Sequence, residues 1–503
     1  MRRTGLVARA LVTVLAVACV LSLEPGVAVA APLQALPATV RVNVTPNGVS
    51  YTVVASTGSV TATGPDGAIL YRGPLRLVVR TNVRRAEGVA LALPPKPESL
   101  TPDERLGRRQ QLREARNAEL EARSQPARIV TTPFEVSLLR SNDDALGQQL
   151  LSAEKVMVVT FTTSDGVLTV NGRGFRGTLE TSVDDGGGAI IVNTVETGAY
   201  LASVVGSEEP STWEPEALAA QAIAARTYLA THLRRHQHYD LEGDTRDQEY
   251  DGIGNEVRST LRAVDRTAGI VATYRGSPIE ALYSANAGGV TENSENVFSN
   301  ALPYLRSVPS PSDEVAKNSS FGRSSWEWDR EFTAPLLAEY MRVRGLDVGT
   351  PTKIEVLSKS ATGRPLLTRV TGTLGSRDIR METARFLFGL KSNLFDPVLR
   401  PPEQEWVSPR DADRLRDMDI LGATKVRSNW DFTFDETGRR KGIVVTEILF
   451  ALPARFDFVG KGFGHSVGMS QWGAQGMALG GADYEQILKH YYTGIALTNV
   501  GGP

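Results

Sequence analysis

The sequence predicts an α+β protein in which a β-rich N-terminal region precedes antiparallel strands packed around one alanine-rich central helix. Apolar and polar residues alternate through residues 37–97, as they do in half-buried strands. The segment PEALAAQAIAARTYLATHL, residues 215–233, has the apolar repeat of a long helix. Strand-like alternation follows this helix again, which favours an α+β arrangement.

Residues 1–30 have the pattern of an export signal. Three arginines precede an apolar run, and Ala28 and Ala30 supply the small residues of a cleavage site. Because the run is too short to span a bilayer, we expect a secreted, extracytoplasmic chain that begins near Ala31 and has no membrane span. The only cysteine, Cys19, lies in this segment, so the mature chain has neither disulfides nor thiolate metal ligands.

Length and charge limit the function classes. A chain of 503 residues is expected to form about two or three domains. Its formal net charge of -2 gives no basic surface for nucleic acid. The expected segments are a signal peptide at 1–30, a β-rich region at 31–98, a charged helix or linker at 99–128, and a main region at 129–503 with a surface insertion at 397–455.

Two helices with a short loop between them carry the densest pattern. The segment YLASVV, residues 200–205, predicts a short amphipathic helix, which Pro210 ends. We expect Thr212 to be the N-cap of the next helix, because this start keeps Pro215 in the first turn. A capping box of Ser211 and Glu214 is the alternative. The predicted packing stripe of this helix is Leu218, Ala222, Ala225, Leu229 and Leu233. Its predicted flanks carry Gln221, Arg226 and Tyr228.

Glu208 lies on the loop between these helices. Apolar surroundings raise the pKa of a carboxyl group and a nearby guanidinium lowers it, so Glu208 with Arg226 suits a general acid. The alternative is a solvated or ion-paired carboxylate. Further on, Ile270–Tyr274 and Ile279–Ser284 predict a β-hairpin that turns at residues 275–278.

The segment Gly464-His465-Ser466-Val467-Gly468 matches the G-x-S-x-G nucleophile elbow of serine hydrolases. That fold requires further strands and an acid and a histidine after the serine, whereas only Asp483 and His490 follow, inside the last helix. We therefore exclude a serine hydrolase. Phe456 and Phe458 predict a strand before this segment, Met469–Leu479 a helix after it, and Asp483 with Gln486 a capping box.

These segments, in this order and spacing, resemble the SpoIID/LytB family over roughly residues 177–497. SpoIID-type members are exported lytic transglycosylases that act on peptidoglycan, and LytB-type members were named as amidase enhancers. The resemblance implies a SpoIID-like catalytic region and peptidoglycan glycan strands as the binding partner.

The family's motifs assign the expected site. The glutamate of V-V-x-x-E-M-P is Glu208, and Glu209 takes the methionine position. The charge of Glu209 would raise the pKa of Glu208, and the alternative is that the Glu209 side chain points into solvent. The arginine of A-R-T-Y is Arg226, expected to orient Glu208 or hold it charged, whereas Ala219 replaces the usual lysine. Ser466 replaces a glycine of G-H-G-V-G, so His465 becomes the expected cleft residue, with a structural loop histidine as the alternative.

The same motifs suggest which residues bind substrate. The expected substrate-binding residues are Gln221, Tyr228, Ser284, Gly288, Gly289, Thr291, Glu292, Ser470, Gln471 and Trp472. Arg385 and Ser392 match a further family segment, and Trp472, Tyr491 and Tyr492 either stack on sugar rings or pack in the core.

We expect no metal and no cofactor. Some family members bind zinc through cysteines, and the matching segment here has none. His232, His236 and His238 resemble ligands, but they lie at a helix end beside Arg234 and Arg235.

The predicted reaction is cleavage of the β-1,4 bond between N-acetylmuramic acid and N-acetylglucosamine, with Glu208 as acid and then base, giving 1,6-anhydro ends. The alternative is a non-catalytic envelope protein that binds wall glycan and stimulates a cell-wall amidase. The departures at Ala219 and Glu209 keep that alternative open.

Overall fold

The structure, a computed structural model, describes residues 35–46, 51–80, 136–137, 158–183, 189–298, 300–407, 423–434 and 439–502. Helices and strands both contribute, which confirms the α+β class. The predicted export signal, the charged segment 99–128 and residues 411–418 of the predicted insertion lie outside the described residues. No helix in the described ranges is long and apolar enough to cross a bilayer.

Ten strands form the largest sheet. They are β1 Thr39–Asn43, β2 Tyr51–Thr63, β3 Ile69–Arg80, β4 Val136–Ser137, β5 Val159–Thr163, β6 Leu168–Val170, β7 Arg173–Phe175, β8 Thr178–Val183, β9 Ala189–Glu196 and β10 Leu241–Glu242. The order is β10-β1-β9-β8-β5-β2-β3-β4, with β6 pairing with β2 and β7. Strands from both sides of the charged segment therefore share one sheet.

Smaller sheets follow along the chain. Their strands are β11 Ile270–Tyr274, β12 Ser277–Pro278, β13 Tyr283–Ser284, β14 Glu327–Thr333, β15 Pro351–Lys359, β16 Pro365–Gly372, β17 Gly375–Arg380, β18 Leu394–Arg400, β19 Glu403–Val407, β20 Ala423–Phe434, β21 Arg440–Leu452, β22 Arg455–Lys461, β23 Met469–Ser470 and β24 Ala496–Asn499. They pair as β12-β11-β24, β13-β23, β14-β22-β18, β15-β16-β17 and β19-β21-β20. The predicted strand with Phe456 and Phe458 is β22, which is confirmed.

The α-helices of the described residues lie between these strands in sequence. They are α1 Thr197–Glu208, α2 Pro215–His232, α3 Arg258–Arg266, α4 Ser294–Phe298, α5 Arg323–Trp326, α6 Ala334–Arg342, α7 Met381–Leu387, α8 Gln471–Leu479 and α9 Tyr484–Tyr491. Two 3-10 helices, Gly252–Asn255 and Pro311–Asn318, join them.

Helix α1 follows β9 directly and confirms the predicted first helix. The predicted start of α2 was wrong. Its N-cap is Glu214, without a side-chain cap bond, and Pro215 is the first helical residue. Neither Thr212 nor a Ser211–Glu214 box caps the helix, because the fixed φ of proline and its missing N–H suit the first helical position itself.

Helix α2 is buried on all sides rather than along one stripe. Leu218 and Ala222 pack in the core beneath the ten-stranded sheet. Ala220 and Ile223 pack in a second core that includes residues of α8 and α9. The alanine side chains let both cores approach the helix backbone closely, so this helix joins the two cores.

The predicted hairpin is confirmed only in part. Strand β11 turns at Arg275 and Gly276, whose φ values of 50° and 81° fit the tight turn of a two-residue hairpin. The return strand is β12 alone, and β13 instead pairs in parallel with β23. Helix α8 consequently begins at Gln471 rather than at Met469.

Side-chain caps fix the last two helices. The Oγ of Ser470 accepts a hydrogen bond from the Gly473 N–H and caps α8. Asp483 and Gln486 form the predicted capping box at the start of α9, which is confirmed.

Candidate functional site

The prediction that Glu208 lies on the loop was wrong, because α1 extends to Glu208 as its last residue. Three segments distant in sequence contact the Glu208 carboxylate. Oε1 accepts hydrogen bonds from the backbone N–H of Glu249 at 3.1 Å and from the hydroxyl of Tyr283 at 3.3 Å. Oε2 accepts from the side-chain amide of Gln471 at 3.3 Å. The fold thus fixes both oxygens while the side chain stays partly exposed.

Opposing influences set the acidity of Glu208. Burial raises its pKa to about 7, and the carboxylate of Glu249 acts in the same direction. The hydrogen bonds from the Glu249 backbone, Gln471 and Tyr283 lower this pKa because they stabilise the charged form. A carboxyl group balanced near neutrality can both donate and accept a proton.

A chain of buried hydrogen bonds leads to Glu208. The hydroxyl of Tyr200 donates to Oε1 of Gln248 at 3.0 Å, and Nε2 of Gln248 donates to the Tyr283 oxygen at 2.9 Å. Because that oxygen already accepts from Gln248, the Tyr283 proton points at Glu208. Burial raises the pKa of both tyrosines well above the ordinary value, which keeps them neutral donors.

Glu209 lies inside the protein. Its side chain is 2% exposed, and neither carboxyl oxygen has a hydrogen-bond partner within the described chain. Burial, and secondly the charge of Glu208, raise its pKa well above 4.5. The solvent-facing alternative was therefore wrong. Burial therefore favours the uncharged form of Glu209, and that form has no charge with which to raise the pKa of Glu208.

Arg226 contacts a different part of the fold. Its guanidinium is fully buried and donates to the Val264 carbonyl at 3.1 Å and to the Thr267 hydroxyl at 3.2 Å. These bonds tie α2 to the C-terminal end of α3. Burial lowers the pKa of Arg226 to about 10, so the group stays charged at neutral pH. None of the three hydrogen bonds to Glu208 comes from it.

Two other α2 residues expected to bind substrate are enclosed. Gln221 is fully buried, and its amide atoms have no partner in the described part of the chain. The Tyr228 hydroxyl donates to Oδ1 of Asp247 at 2.9 Å, and its ring stacks on His232 at 3.7 Å. His232 in turn lies 3.2 Å from a carboxylate oxygen of Glu280. No cluster of potential metal ligands was found among the residues that are described.

His465 is held as a neutral imidazole. Its Nδ1 accepts the Val467 N–H at 3.0 Å, so the ring proton is on Nε2. Burial and the charge of Arg385 lower its pKa to about 4, against an opposing interaction with the Tyr283 backbone. Tyr283 thus lies between His465 and Glu208, which share no hydrogen bond in the described residues.

Ser466 occupies a position that favours glycine. Its φ of 63° is left-handed, as expected if a serine replaces a glycine. Its Oγ is buried and has no hydrogen-bond partner in the described chain, while its N–H donates to Oγ of Ser284 at 3.2 Å. No base among the described residues forms a hydrogen bond with this hydroxyl, which agrees with the exclusion of a serine nucleophile.

The Gly288-Gly289 loop packs against protein. A Cβ on Gly288 would lie 3.1 Å from the backbone of Lys461. The Gly289 N–H donates to Oδ2 of Asp313 at 3.0 Å, and the Ser470 hydroxyl donates to Oδ1. Burial raises the pKa of Asp313 to about 6. Sequence analysis did not identify Asp313, which holds this loop to the start of α8.

Thr291 and Glu292, which were expected to bind substrate, form hydrogen bonds with other residues of the protein. Oγ1 of Thr291 accepts the Val308 N–H at 2.8 Å. Oε2 of Glu292 accepts the hydroxyl of Ser360 at 2.6 Å, in the turn between β15 and β16. Arg364, fully buried beside that turn, donates to the Ala287 and Val290 carbonyls. These residues fix the shape of the loop.

Trp472 follows Gln471 at the start of α8. Its side chain is 7% exposed and packs against Trp213 at 4.7 Å and Phe321 at 5.3 Å between ring centroids. Of the residues expected to bind substrate, only Gln471 contacts Glu208 directly. Tyr491 and Tyr492 are fully buried, as the core-packing alternative requires.

The fold and the site define an α+β protein with one partly exposed carboxyl of near-neutral pKa, held by donors from distant segments. Residues 185–274, which include Glu208, match the SpoIID family, described as stage II sporulation protein.

Similar proteins agree with this match. Stage II sporulation protein D of Bacillus subtilis (strain 168) is 28% identical over 326 residues, 61% of this chain and 76% of that protein. The protein of that name from Bacillus amyloliquefaciens is 29% identical over 61% of this chain and 75% of its own. An amidase enhancer of Bacillus subtilis (strain 168) is 28% identical over 59% of this chain and 40% of its own length. These matches support membership of the SpoIID/LytB family, which the sequence motifs predict.

Proposed function

We propose that the protein is a peptidoglycan lytic transglycosylase with Glu208 as its general acid and base. The observation that carries this proposal is the partly exposed Glu208 carboxyl, whose pKa burial raises to about 7. Family membership supports a cell-wall role. That role requires an extracytoplasmic location, which agrees with the export signal expected at residues 1–30.

The first step is proton donation. Protonated Glu208 donates its proton to the bridging oxygen between N-acetylmuramic acid and N-acetylglucosamine. The bond from this oxygen to C1 of the muramyl sugar breaks, and the glucosamine leaves with a 4-hydroxyl group. Positive charge develops at C1, and Glu208 becomes a carboxylate. The donors Tyr283, Gln471 and the Glu249 N–H stabilise that carboxylate.

The second step returns the proton. The Glu208 carboxylate removes the proton from the muramyl C6 hydroxyl, and the C6 oxygen forms a bond to C1. The product is a 1,6-anhydro sugar, no water is consumed, and Glu208 is protonated again. One carboxyl group is sufficient, whereas ordinary glycosidases require two, about 5–9.5 Å apart.

Neighbouring carboxyl groups support a one-carboxylate mechanism. Glu209 is closed off from solvent, and burial favours its uncharged form. Asp313 is fully buried and bonded to Ser470 and Gly289. Glu249 is the remaining candidate for a second acid, since its charge acts on Glu208.

The test is Glu208→Gln in the mature protein, incubated with purified glycan strands, with products identified by mass spectrometry. We expect anhydro ends from wild type and a rate lower by about 10²–10⁴-fold in the variant. Glu485→Gln, an exposed glutamate of α9 paired with Lys489, is the matched control. Wild type that releases only reducing ends, or a fully active Glu208→Gln, contradicts the proposal.

A second candidate is a non-catalytic enhancer of a cell-wall amidase. The relative named amidase enhancer favours it. In that case the protein binds glycan without cleaving it, and Glu208→Gln stimulates a purified amidase as well as wild type does. Stimulation by both proteins, with no anhydro product from either, would select this function.

A further inference from the structure

A strip of aromatic and cationic side chains extends from the neighbourhood of Glu208. Its aromatic members are Trp213, Trp472 and Phe321, and its cationic pair is Arg323 and Lys391. We propose that this strip binds a carboxylate-bearing saccharide of the glycan, beyond the two sugars at the cleaved bond. The proposal rests on the proposed function only in taking wall glycan as the ligand.

The aromatic part begins beside the acid. Gln471 donates to Glu208, and the next residue, Trp472, packs its ring on Trp213 and Phe321. Trp472 is 7% exposed, whereas Phe321 is 60% exposed. A Cβ at the intervening Gly322 would lie 2.3 Å from the Trp472 ring, so glycine permits this close approach. Trp472 therefore supports Phe321, whose ring is open to stack on a sugar.

The cationic pair lies next to Phe321 in the fold. Nε of Arg323 donates to the Lys317 carbonyl at 3.4 Å, and Nζ of Lys391 donates to the Ser324 carbonyl at 2.9 Å. Neither group forms an ion pair with a carboxylate in the part of the chain that is described. Both cations therefore contact the backbone of residues 317–324, and cations without a counter-charge attract an anion.

Two neighbouring lysines, unlike Arg323 and Lys391, have carboxylate partners. Lys317 pairs with Glu314, and Lys461 pairs with Glu327 at 3.4 Å, so both have a carboxylate partner. Both ammonium groups also lie over the ring of Trp326, at 5.1 and 5.2 Å from its centroid. The uncompensated charge is therefore concentrated at Arg323 and Lys391.

The far end of the strip returns to the predicted cleft. The Lys391 carbonyl accepts the Gly464 N–H at 2.8 Å, which places Lys391 beside the loop that carries His465. The strip thus connects two segments of the site, near Trp213 and near Gly464. A glycan strand that enters along it would reach Glu208.

The chemistry of wall glycan fits both parts of the strip. Acetylated hexosamine rings have an apolar face that stacks on aromatic rings. Muramyl sugars carry a free lactyl carboxylate when their peptide is absent, and the peptide brings its own carboxylates when it is present. Either source supplies the same group to Arg323 and Lys391. A chito-oligosaccharide has the same backbone without the carboxylate.

Binding is measured in the Glu208→Gln protein, so that no ligand is cleaved. The ligands are peptide-free glycan, peptide-bearing glycan and a chito-oligosaccharide. We expect Phe321→Ala to weaken binding of all three about fivefold. Arg323→Gln with Lys391→Gln is expected to weaken only the two carboxylate-bearing ligands, about tenfold, and to remove the salt dependence of their binding. The tighter of these two ligands identifies the source of the carboxylate.

Matched controls separate the strip from general surface effects. Arg344 and Arg377 are exposed cations that likewise donate to backbone carbonyls, at 3.2 and 3.0 Å, and are changed together to Gln. Phe386→Ala removes a ring that is 65% exposed elsewhere. Equal losses in these controls, unchanged binding in the strip variants, or equally tight binding of the chito-oligosaccharide would overturn the proposal. Because binding is measured without cleavage, its outcome does not depend on the anhydro-product assay.

Discussion

The hydroxyl of Tyr283 donates to Oε1 of Glu208 at 3.3 Å while its oxygen accepts from Nε2 of Gln248 at 2.9 Å. This arrangement gives Glu208 an oriented neutral donor. The bond opposes the effect of burial, because it favours the charged form of the carboxyl.

Replacing Tyr283 with Phe should raise the pKa of Glu208 above its value of about 7. The variant loses one bond to the carboxylate, and we expect the alkaline limb of the pH–rate profile to move up by about one pH unit. The measurement is the initial rate of anhydro-product release against pH. Tyr492→Phe, which removes a buried hydroxyl bonded to the Leu282 carbonyl, is the control and should leave the limb in place. A downward shift in Tyr283→Phe would contradict the assignment.

Glu249→Gln distinguishes a transglycosylase from a two-carboxylate hydrolase. The backbone bond from residue 249 to Glu208 remains, whereas the side-chain charge that raises the pKa of Glu208 disappears. The alkaline limb should therefore move to lower pH, by less than about one unit, with the rate retained at acidic pH. If the loss matches that of Glu208→Gln at every pH, Glu249 is a second catalytic carboxylate and the one-carboxylate mechanism fails.

Glu209→Met should stabilise the protein. The change removes a buried carboxyl without a partner among the described residues, and we expect the free energy of unfolding to rise by about 1–3 kcal/mol at neutral pH. Urea unfolding monitored by circular dichroism measures the difference. Glu485→Gln, an exposed glutamate paired with Lys489, should change stability by less than about 1 kcal/mol.

The stabilisation by Glu209→Met should grow with pH. The folded pKa of Glu209 lies well above 4.5, so the unfolded chain releases this proton first. Below about pH 4.5, Glu209 is protonated in both the folded and the unfolded chain, and its full contribution to the free energy of unfolding is present. Between pH 4.5 and the folded pKa only the unfolded chain loses this proton, so the free energy of unfolding of the wild type falls by up to about 1.4 kcal/mol per pH unit. The gap between variant and wild type should therefore widen from about pH 5 to about pH 8. A constant gap would mean that Glu209 is ionised in the folded protein.

His465→Asn tests whether His465 transfers protons. An asparagine oxygen can accept the Val467 N–H in place of Nδ1, and the pKa of His465, about 4, leaves no titration near neutral pH to lose. We expect the shape of the pH–rate profile to stay unchanged. The reaction rate should fall by less than the ~10²-fold that removal of a general acid or base causes. His490→Asn, at a histidine bonded to the Pro309 carbonyl, is the control. A larger loss that also removes one limb would assign proton transfer to His465.

Local signals in the sequence predicted helix α1, strand β22 and the Asp483–Gln486 capping box, because neighbouring residues alone determine them. The same holds for Ser466, whose left-handed φ follows from its glycine-like position. The start of α2 was missed because two helix-capping residues precede Pro215 and compete with it in a sequence pattern.

The environment of Glu208 could not be predicted in the same way. Gln248 lies in a polar segment typical of solvated loops, yet it is fully buried and orients Tyr283. Asp313 has no motif around it, and its role depends on Gly289 and Ser470, which come from distant segments. Whether Glu209 faces solvent or the interior depends on tertiary packing, which spacing along the chain does not encode.

Strand β1 lies between β9, which leads into the helix that carries Glu208, and β10. Nδ2 of Asn43 in β1 donates to Oε2 of Glu242 in β10, and the two residues are 199 positions apart in sequence. Contacts of such long range form slowly, because a large loop must close before they are gained. We therefore expect the sheet that supports the Glu208 helix to be completed late in folding, and to be incomplete in a chain that lacks residues 39–43.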